Sequence, residues 1–195
     1  MTAYQLIDDT SFVIPSFLAP DRCQQLIESA EQMGFTEAPV KTRNGEVMRK
    51  DIRNNERVIW HKPDLAQRLW TRLHPCFPTN QFWLAVGLDE RFRFYRYDKA
   101  QQFDWHRDGS VKGPNGERSR WTLLVYLNDD FVGGSTTFEK VDFRPQTGLA
   151  LVFQHHRRHK GQPVLSGRKY VLRTDVMCVK NHESDSKSAQ SELQR

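Results

Sequence analysis

Five short segments in the C-terminal half of the chain are rich in β-branched and aromatic residues, and turn residues separate them. They are 91–97 (RFRFYRY), 120–128 (RWTLLVYLN), 135–141 (STTFEKV), 147–153 (TGLALVF) and 170–179 (YVLRTDVMCV). Such segments are typical of strands, in which successive side chains point to opposite faces. Many short strands without helices between them predict an antiparallel sandwich or jelly roll.

The first 80 residues have a helical period instead. The segment 21–34 (DRCQQLIESAEQMG) predicts a helix that Gly34 ends, and 63–73 (PDLAQRLWTRL) predicts a second one. The apolar stripes of these helices are Leu26, Ile27, Ala30 and Met33 in the first, and Leu65, Leu69, Trp70 and Leu73 in the second. The predicted fold class is therefore mainly β with helices (α+β), in which N-terminal helices buttress a barrel of strands.

The length of 195 residues suits one domain. We assign residues 1–180 to it, with a helical part at about 1–80 and a strand-rich core at about 82–180. The polar segment 181–195 (NHESDSKSAQSELQR) has no periodicity and is predicted to be a disordered tail.

Other whole-chain features point to a cytoplasmic protein that is not embedded in a membrane. Apolar runs such as LALVF (149–153) are far shorter than a bilayer span, and the first residues do not form a secretory signal. The three cysteines, Cys23, Cys76 and Cys178, are scattered and odd in number. This pattern argues against disulfides and against a cysteine-based zinc site.

A net charge of +5 leaves an anionic partner open. Two stretches, 41–57 and 155–173, carry most of the positive charge, and solvated cations are the simplest interpretation of both. The basic charge is compatible with nucleic acid, but the sequence contains neither a zinc finger nor an arginine-rich repeat that would favour it over other anionic partners.

The stretch FDWHRDGS (103–110) contains the first candidate for chemistry. If it is extended, His106 and Asp108 project from the same face, which could supply two ligands to a metal ion. Such a pair also arises often by chance, so a third ligand is needed from a later strand. The candidates are His155, His156 and His159, whereas His61, His74 and His182 lie in the helical part or the tail and are poorer choices.

Two histidines and one carboxylate form the facial triad of non-haem Fe(II) oxygenases, although zinc can use the same ligands. Lys169, ten residues after His159 and just behind a glycine turn, adds a cation at the start of a strand. An oxygenase that uses 2-oxoglutarate needs such a cation, because the distal carboxylate of the keto acid must be paired where it is buried.

Taken together, residues 95 to 179 resemble the catalytic core of the 2-oxoglutarate/Fe(II)-dependent dioxygenases of the prolyl 4-hydroxylase type. The positions that carry the resemblance are Tyr97, His106, Asp108, Tyr126–Leu127, Gly133–Gly134, Thr136, His159, Pro163–Val164, Gly167 and Lys169. The resemblance implies a double-stranded β-helix, a cupin-like jelly-roll barrel.

The resemblance also assigns roles to individual residues. It implies that His106, Asp108 and His159 are the iron ligands, and that Lys169 holds the C5 carboxylate of 2-oxoglutarate. By the same resemblance, the co-substrate is hydrogen-bonded by Tyr97 and Thr136. Arg168 is the alternative carboxylate anchor, because relatives can use arginine and only one of two adjacent strand residues can point inward.

The implied reaction consumes O2 and 2-oxoglutarate, releases succinate and CO2, and hydroxylates a C–H bond, with ascorbate as a further implied cofactor. The implied target is a prolyl or other residue in a peptide or protein, or a small molecule. Charge alone suggests that a basic rim selects an acidic target; its residues are Arg53, Asn54, Asn55, Arg57, Arg93 and Arg96. The alternatives are a nucleic-acid demethylase, a non-catalytic jelly-roll module that binds a small acid, and a zinc hydrolase.

Overall fold

The computed structural model describes residues 4–42, 44–77 and 82–181. Its two helices are α1 (Pro20–Met33) and α2 (Pro63–Leu73), and a 3-10 turn (His74–Cys76) follows α2. The strands are β1 (Gln5–Asp8), β2 (Ser11–Ile14), β3 (Thr36–Glu37), β4 (Val40–Thr42), β5 (Gly45–Val47), β6 (Glu56–His61), β7 (Trp83–Leu88), β8 (Arg91–Tyr97), β9 (Phe103–His106), β10 (Arg118–Tyr126), β11 (Val132–Gly133), β12 (Thr136–Phe138), β13 (Asp142–Phe143), β14 (Ala150–Gln154), β15 (His159–Gly161), β16 (Val164–Ser166) and β17 (Lys169–Lys180).

Most strands form a large sheet and a small sheet, and two further pairs, β4-β5 and β11-β16, stand apart from them. The large sheet has the order β1-β2-β14-β10-β17-β8-β6-β3, with β7 also paired to β17, and the small sheet has the order β13-β12-β15-β9. The pairings within both sheets are antiparallel. This mainly β architecture with two helices agrees with the double-stranded β-helix that the sequence predicts.

Two apolar layers cover the two faces of the large sheet. One layer packs α1 and α2 against the sheet, and the other fills the space between the large and small sheets. Strand β8 contributes to both, because Phe92 and Phe94 face the helices while Tyr95 and Tyr97 face the small sheet. The helices therefore share a core with the strands.

The helices lie where the sequence predicts them. Helix α1 begins with Pro20 at its first position and ends before Gly34, which has a φ of 81°. Met33 was wrongly placed on the buried stripe, because 43% of its surface is exposed. It lies in the last turn, at the edge of the stripe that Cys23, Leu26 and Ala30 define.

The prediction of a helical N-terminal part was wrong in its details, because strands β1 to β6 lie around the two helices. The run Val58–Trp60 in β6 pairs with β8 and so extends the large sheet. Three apolar residues between charged ones are too short a signal to separate strand from loop. The predicted strand 135–141 is likewise shorter, because β12 ends at Phe138.

Three other predictions concern the chain as a whole. Cys23, Cys76 and Cys178 are buried free thiols, as predicted. In the described ranges, no helix has both the length and the apolar character needed to cross a membrane. The predicted tail 181–195 lies outside the described residues, apart from Asn181.

Candidate metal and co-substrate site

The pairing of β9 with β15 brings two histidines together. His106 and His159 are directly opposite each other in the small sheet, and their ring centroids are 4.2 Å apart. Asp108 follows the end of β9 by two residues, and its carboxylate oxygens lie 3.9 Å from the Nε2 atoms of His106 and His159. The three potential ligand atoms all lie within 4.8 Å of one another, so one metal ion could contact all of them.

Backbone carbonyls fix the orientation of both imidazole rings. Nδ1 of His106 lies 2.7 Å from the carbonyl oxygen of Asp104, and Nδ1 of His159 lies 3.1 Å from that of Arg157. An Nδ1–H that donates to a carbonyl leaves Nε2 unprotonated, which is the arrangement that metal-binding histidines use. Both Nε2 atoms are therefore available as ligands.

Burial keeps these histidines neutral. Desolvation, together with the nearby His159, lowers the pKa of His106 to about 3, and desolvation also lowers the pKa of His159. A protonated imidazole cannot bind a metal ion, so these low pKa values favour binding at neutral pH.

Two side chains stabilise the Asp108 carboxylate. Burial raises its pKa, but Arg173, whose Nη2 lies 3.2 Å from Oδ1, more than offsets this effect. The hydroxyl of Thr122 donates to Oδ2 at 2.5 Å. The net result is a pKa well below the usual range, so the group is an ionised ligand.

Beside the triad lies a cavity of about 870 Å³, and Lys169 is buried in its wall. Nζ of Lys169 donates to the carbonyl of Gly134 at 2.5 Å and lies 5.2 Å from the ring centroid of Tyr97. Within the part of the chain that the structure describes, no carboxylate lies within ion-pairing distance of this ammonium group. A buried cation without a counter-ion is costly, so the position suits the carboxylate of a ligand.

Burial lowers the pKa of Lys169 to about 7. The pKa of lysine in the unfolded chain is near 10.4. Between pH 7 and pH 10.4 the unfolded chain therefore binds more protons than the folded protein. The buried ammonium group consequently destabilises the ligand-free protein most below pH 7. We expect Lys169→Met to raise the free energy of unfolding at pH 6.5, and expect this advantage to shrink by about 1.4 kcal/mol per pH unit above pH 7. Urea unfolding of both proteins at pH 6.5 and 9.0 measures the difference, and a constant difference would contradict the assignment.

The structure separates Lys169 from its neighbour Arg168. The Arg168 side chain is 47% exposed, and its Nε donates to Asp98 at 2.5 Å on the outer surface. The alternative that Arg168 anchors the co-substrate was therefore wrong, because its side chain pairs with Asp98 outside the cavity.

Neither alternative to His159 joins the triad. His155 is buried 3.3 Å from an oxygen of Asp175, and His156 is exposed. His159 occupies the position opposite His106 because β15 begins there.

Tyr97 and Thr136 both line the cavity. Tyr97 lies directly opposite Lys169 in the pairing of β8 with β17, and burial raises the pKa of its phenol to about 12. The Thr136 hydroxyl accepts a hydrogen bond from the Tyr126 hydroxyl at 2.8 Å, so its own proton remains available to a ligand. Both residues are placed to contact the same bound molecule as Lys169.

This donor set fits iron and a keto acid. The triad offers two neutral imidazole nitrogens and one carboxylate, which is the ligand set of non-haem Fe(II) oxygenases. The unpaired ammonium of Lys169 lies in the same cavity and would neutralise the far carboxylate of the keto acid.

Comparison with known proteins supports the same conclusion. The family model described as "2OG-Fe(II) oxygenase superfamily" matches residues 92–174, which include the triad and Lys169. Over these residues the chain is similar to this superfamily. The matches support the prediction of a prolyl 4-hydroxylase-like oxygenase that uses Fe(II), 2-oxoglutarate and O2.

The oxygenase is similar to several viral and animal proteins. It is 26% identical to "Putative prolyl 4-hydroxylase" of Acanthamoeba polyphaga mimivirus, an alignment that covers 87% of this chain and 76% of the relative. Its fold matches the viral collagen prolyl hydroxylase of Paramecium bursaria Chlorella virus-1, with a TM-score of 0.61, 20% identity and coverage of 88% and 97% of the two chains. It also matches a Trichoplax adhaerens prolyl hydroxylase bound to a hypoxia inducible factor peptide, with a TM-score of 0.70, 17% identity and coverage of 88% and 85%.

Sequence reasoning missed the side chains that support Asp108. Arg173 is four residues after Lys169 on β17, so strand alternation alone could have placed both on the cavity face. Arg173 also binds Asp175 at 2.9 Å, and Asp175 binds Arg93 at 3.0 Å. These contacts form a buried ionic network beneath the triad.

Proposed function

We propose that the oxygenase hydroxylates a C–H bond of a prolyl or other residue in a peptide or protein in the cytoplasm. The observation that carries this proposal is the convergence of His106, Asp108 and His159 beside the buried, unpaired Lys169. The prolyl hydroxylase names of the relatives support a peptide target.

Each residue of the site has a proposed task. His106, Asp108 and His159 hold Fe(II), which when bound supplies the oxidising chemistry with O2 and 2-oxoglutarate. Lys169 binds the C5 carboxylate of 2-oxoglutarate, and Tyr97 and Thr136 orient the same molecule by hydrogen bonds. Ascorbate remains a predicted cofactor.

The positive lining of the cavity favours an acidic target, but the proposed rim needs correction. Arg53, Arg57 and Arg93 line the cavity. Arg96 does not, because it faces the helix side of β8 and binds Glu31 at 2.8 Å. Asn54 and Asn55 have structural partners instead: the Asn54 side chain accepts from the Gln102 amide, and Asn55 accepts from Arg53.

Turnover of peptides tests the proposal. We expect the protein with Fe(II), 2-oxoglutarate and O2 to add 16 Da to a proline-containing peptide and to release one succinate per product. Mass spectrometry of peptide pools measures both quantities. Succinate release that no peptide stimulates above the rate without peptide would contradict a peptide target while leaving the reaction class intact.

The alternatives gain no comparable support. The family match disfavours a zinc hydrolase and a non-catalytic module, because the complete triad and Lys169 lie within the matched residues. The spacing of Arg168 and Arg173 also fails to match the demethylase pattern of an arginine six residues after the co-substrate arginine.

A further inference from the structure

Arg53 is fixed against the strand that carries His106. Its backbone forms a β-bridge with Phe103 in β9, and the amide of Asp104 donates to the carbonyl of Ile52 at 2.8 Å. Through these contacts, a short segment of the basic stretch 41–57 extends the small sheet. Strand β9, which carries His106, therefore also fixes the position of Arg53.

The guanidinium group of Arg53 is buried and incompletely paired. Its Cζ lies 4.5 Å from the ring centroid of Tyr95 and 4.4 Å from that of Phe103, and only 5% of the residue is exposed. Nε donates to Oδ1 of Asn55 at 2.7 Å, but Nη2 is buried without a hydrogen-bond partner. No carboxylate within the described ranges forms an ion pair with it. A buried, charged donor of this kind is costly unless a ligand satisfies it.

Two other arginines of the same cavity, Arg57 and Arg173, have carboxylate partners. Arg57 binds Glu46 through both carboxylate oxygens, at 2.7 and 2.9 Å. Arg173 binds Asp108 and Asp175. Arg53 differs from these two arginines because it has no carboxylate partner in the described ranges. The co-substrate does not require its charge either, because Lys169 would bind the far carboxylate of 2-oxoglutarate.

The electrostatics of Tyr95 show that this part of the cavity has an excess of positive charge. Burial raises the pKa of its phenol, but the charges of Arg53, Arg173 and Arg93, together with a hydrogen bond between Arg53 and the phenol, lower it by more, and the net shift is downward. The cavity thus favours an anion close to Tyr95 and Arg53.

Arg53 also lies close to the metal ligands. Phe103 stacks on the ring of His106, with centroids 3.5 Å apart and an angle of 14° between the planes. Because the Arg53 guanidinium lies over the same Phe103 ring, one aromatic ring links it to a metal ligand. A group bound to Arg53 would therefore be near the reacting C–H bond.

We propose that Arg53 binds a carboxylate of the substrate and so determines its specificity. This inference rests on the proposed function and adds the chemical class of the target, a carboxylate-bearing one. The carboxylate could be an acidic side chain next to the hydroxylated residue or the α-carboxylate of a free amino acid. A planar guanidinium can bind either through two parallel hydrogen bonds.

The test measures binding without turnover. The anaerobic protein with Fe(II) and 2-oxoglutarate is titrated with two peptides that differ only in Asp or Asn beside a proline, and separately with proline and prolinamide. The change in the visible absorption of the iron complex reports binding. We expect the acid of at least one pair to bind about tenfold or more tightly than its amide.

Variants identify the residue responsible. We expect Arg53→Gln to remove the preference for the acid, and Arg53→Lys to retain part of it because the charge remains. Arg49→Gln is the matched control, because Arg49 lies in the same loop but is exposed and binds Asp51. Formation of the visible band in each variant with Fe(II) and 2-oxoglutarate shows that the site is folded.

The outcomes separate this inference from the proposed function. Equal binding of acid and amide by the unmodified protein, or an acid preference that survives in Arg53→Gln, overturns the role of Arg53. Binding that is specific for the acid and depends on Arg53 supports the proposed role of Arg53, even if no peptide is hydroxylated. In that case only the proposed reaction is contradicted. The pair that shows the preference identifies the source of the carboxylate.

Discussion

Replacement of His159 with alanine is expected to lower iron affinity by about 100-fold or more and to reduce oxygenase turnover below detection. The variant removes one of three ligands, and the remaining His106 and Asp108 cannot hold the ion in a facial arrangement. Metal analysis after dialysis against Fe(II), together with succinate release, measures both effects.

Controls distinguish loss of a ligand from loss of folding. His159 packs against Phe138 and Phe153, so alanine leaves a cavity and is also expected to destabilise the protein by about 1 to 3 kcal/mol. His159→Gln retains most of the volume and should lose iron with less loss of stability. His156→Ala removes an exposed histidine three residues away and should retain iron. Equal iron content in His159→Gln and the unmodified protein would disprove the assignment.

Lys169→Met is expected to weaken the binding of 2-oxoglutarate by about 100-fold. The buried C5 carboxylate would lose its cationic partner, and removing one member of a buried charge pair typically costs 2 to 5 kcal/mol. The ligand-free variant should nevertheless be more stable, because methionine fills the space without burying a charge. Calorimetric titration of the Fe(II) protein with 2-oxoglutarate, under nitrogen, measures the affinity.

The neighbouring residue provides the matched control for this experiment. Arg168→Met removes a cation from the residue just before β17, where Arg168 binds Asp98 outside the cavity. Its affinity for 2-oxoglutarate should therefore stay within about twofold of the original value. If both variants bound the keto acid equally well, the co-substrate would not be anchored by Lys169.

The sequence predicted those features that depend on local spacing. His106 and Asp108 are two residues apart, and Lys169 follows His159 by ten, so each pair could be recognised from its spacing along the chain, although the pairs meet only through the pairing of β9 with β15. The fold class followed from the turn-bounded strands for the same reason. Strand β6 was missed because its apolar run is short and gains its stability from pairing with β8.

The supporting contacts could not be predicted in the same way. Thr122 binds Asp108 across 14 residues of sequence, and Arg53 reaches Phe103 from a loop that precedes α2. Such contacts depend on how strands from distant parts of the chain are placed side by side, which no local pattern specifies. Arg53 therefore entered the sequence reasoning only as one charge among several in a basic stretch.

Strand β17 concentrates much of the site on one element. Lys169 and Arg173 lie on its cavity face, and three other strands, β7, β8 and β10, pair with it. A deletion just after Lys169 would turn Arg173 toward the helices. The middle of this strand should therefore tolerate changes of side chain far better than changes of length.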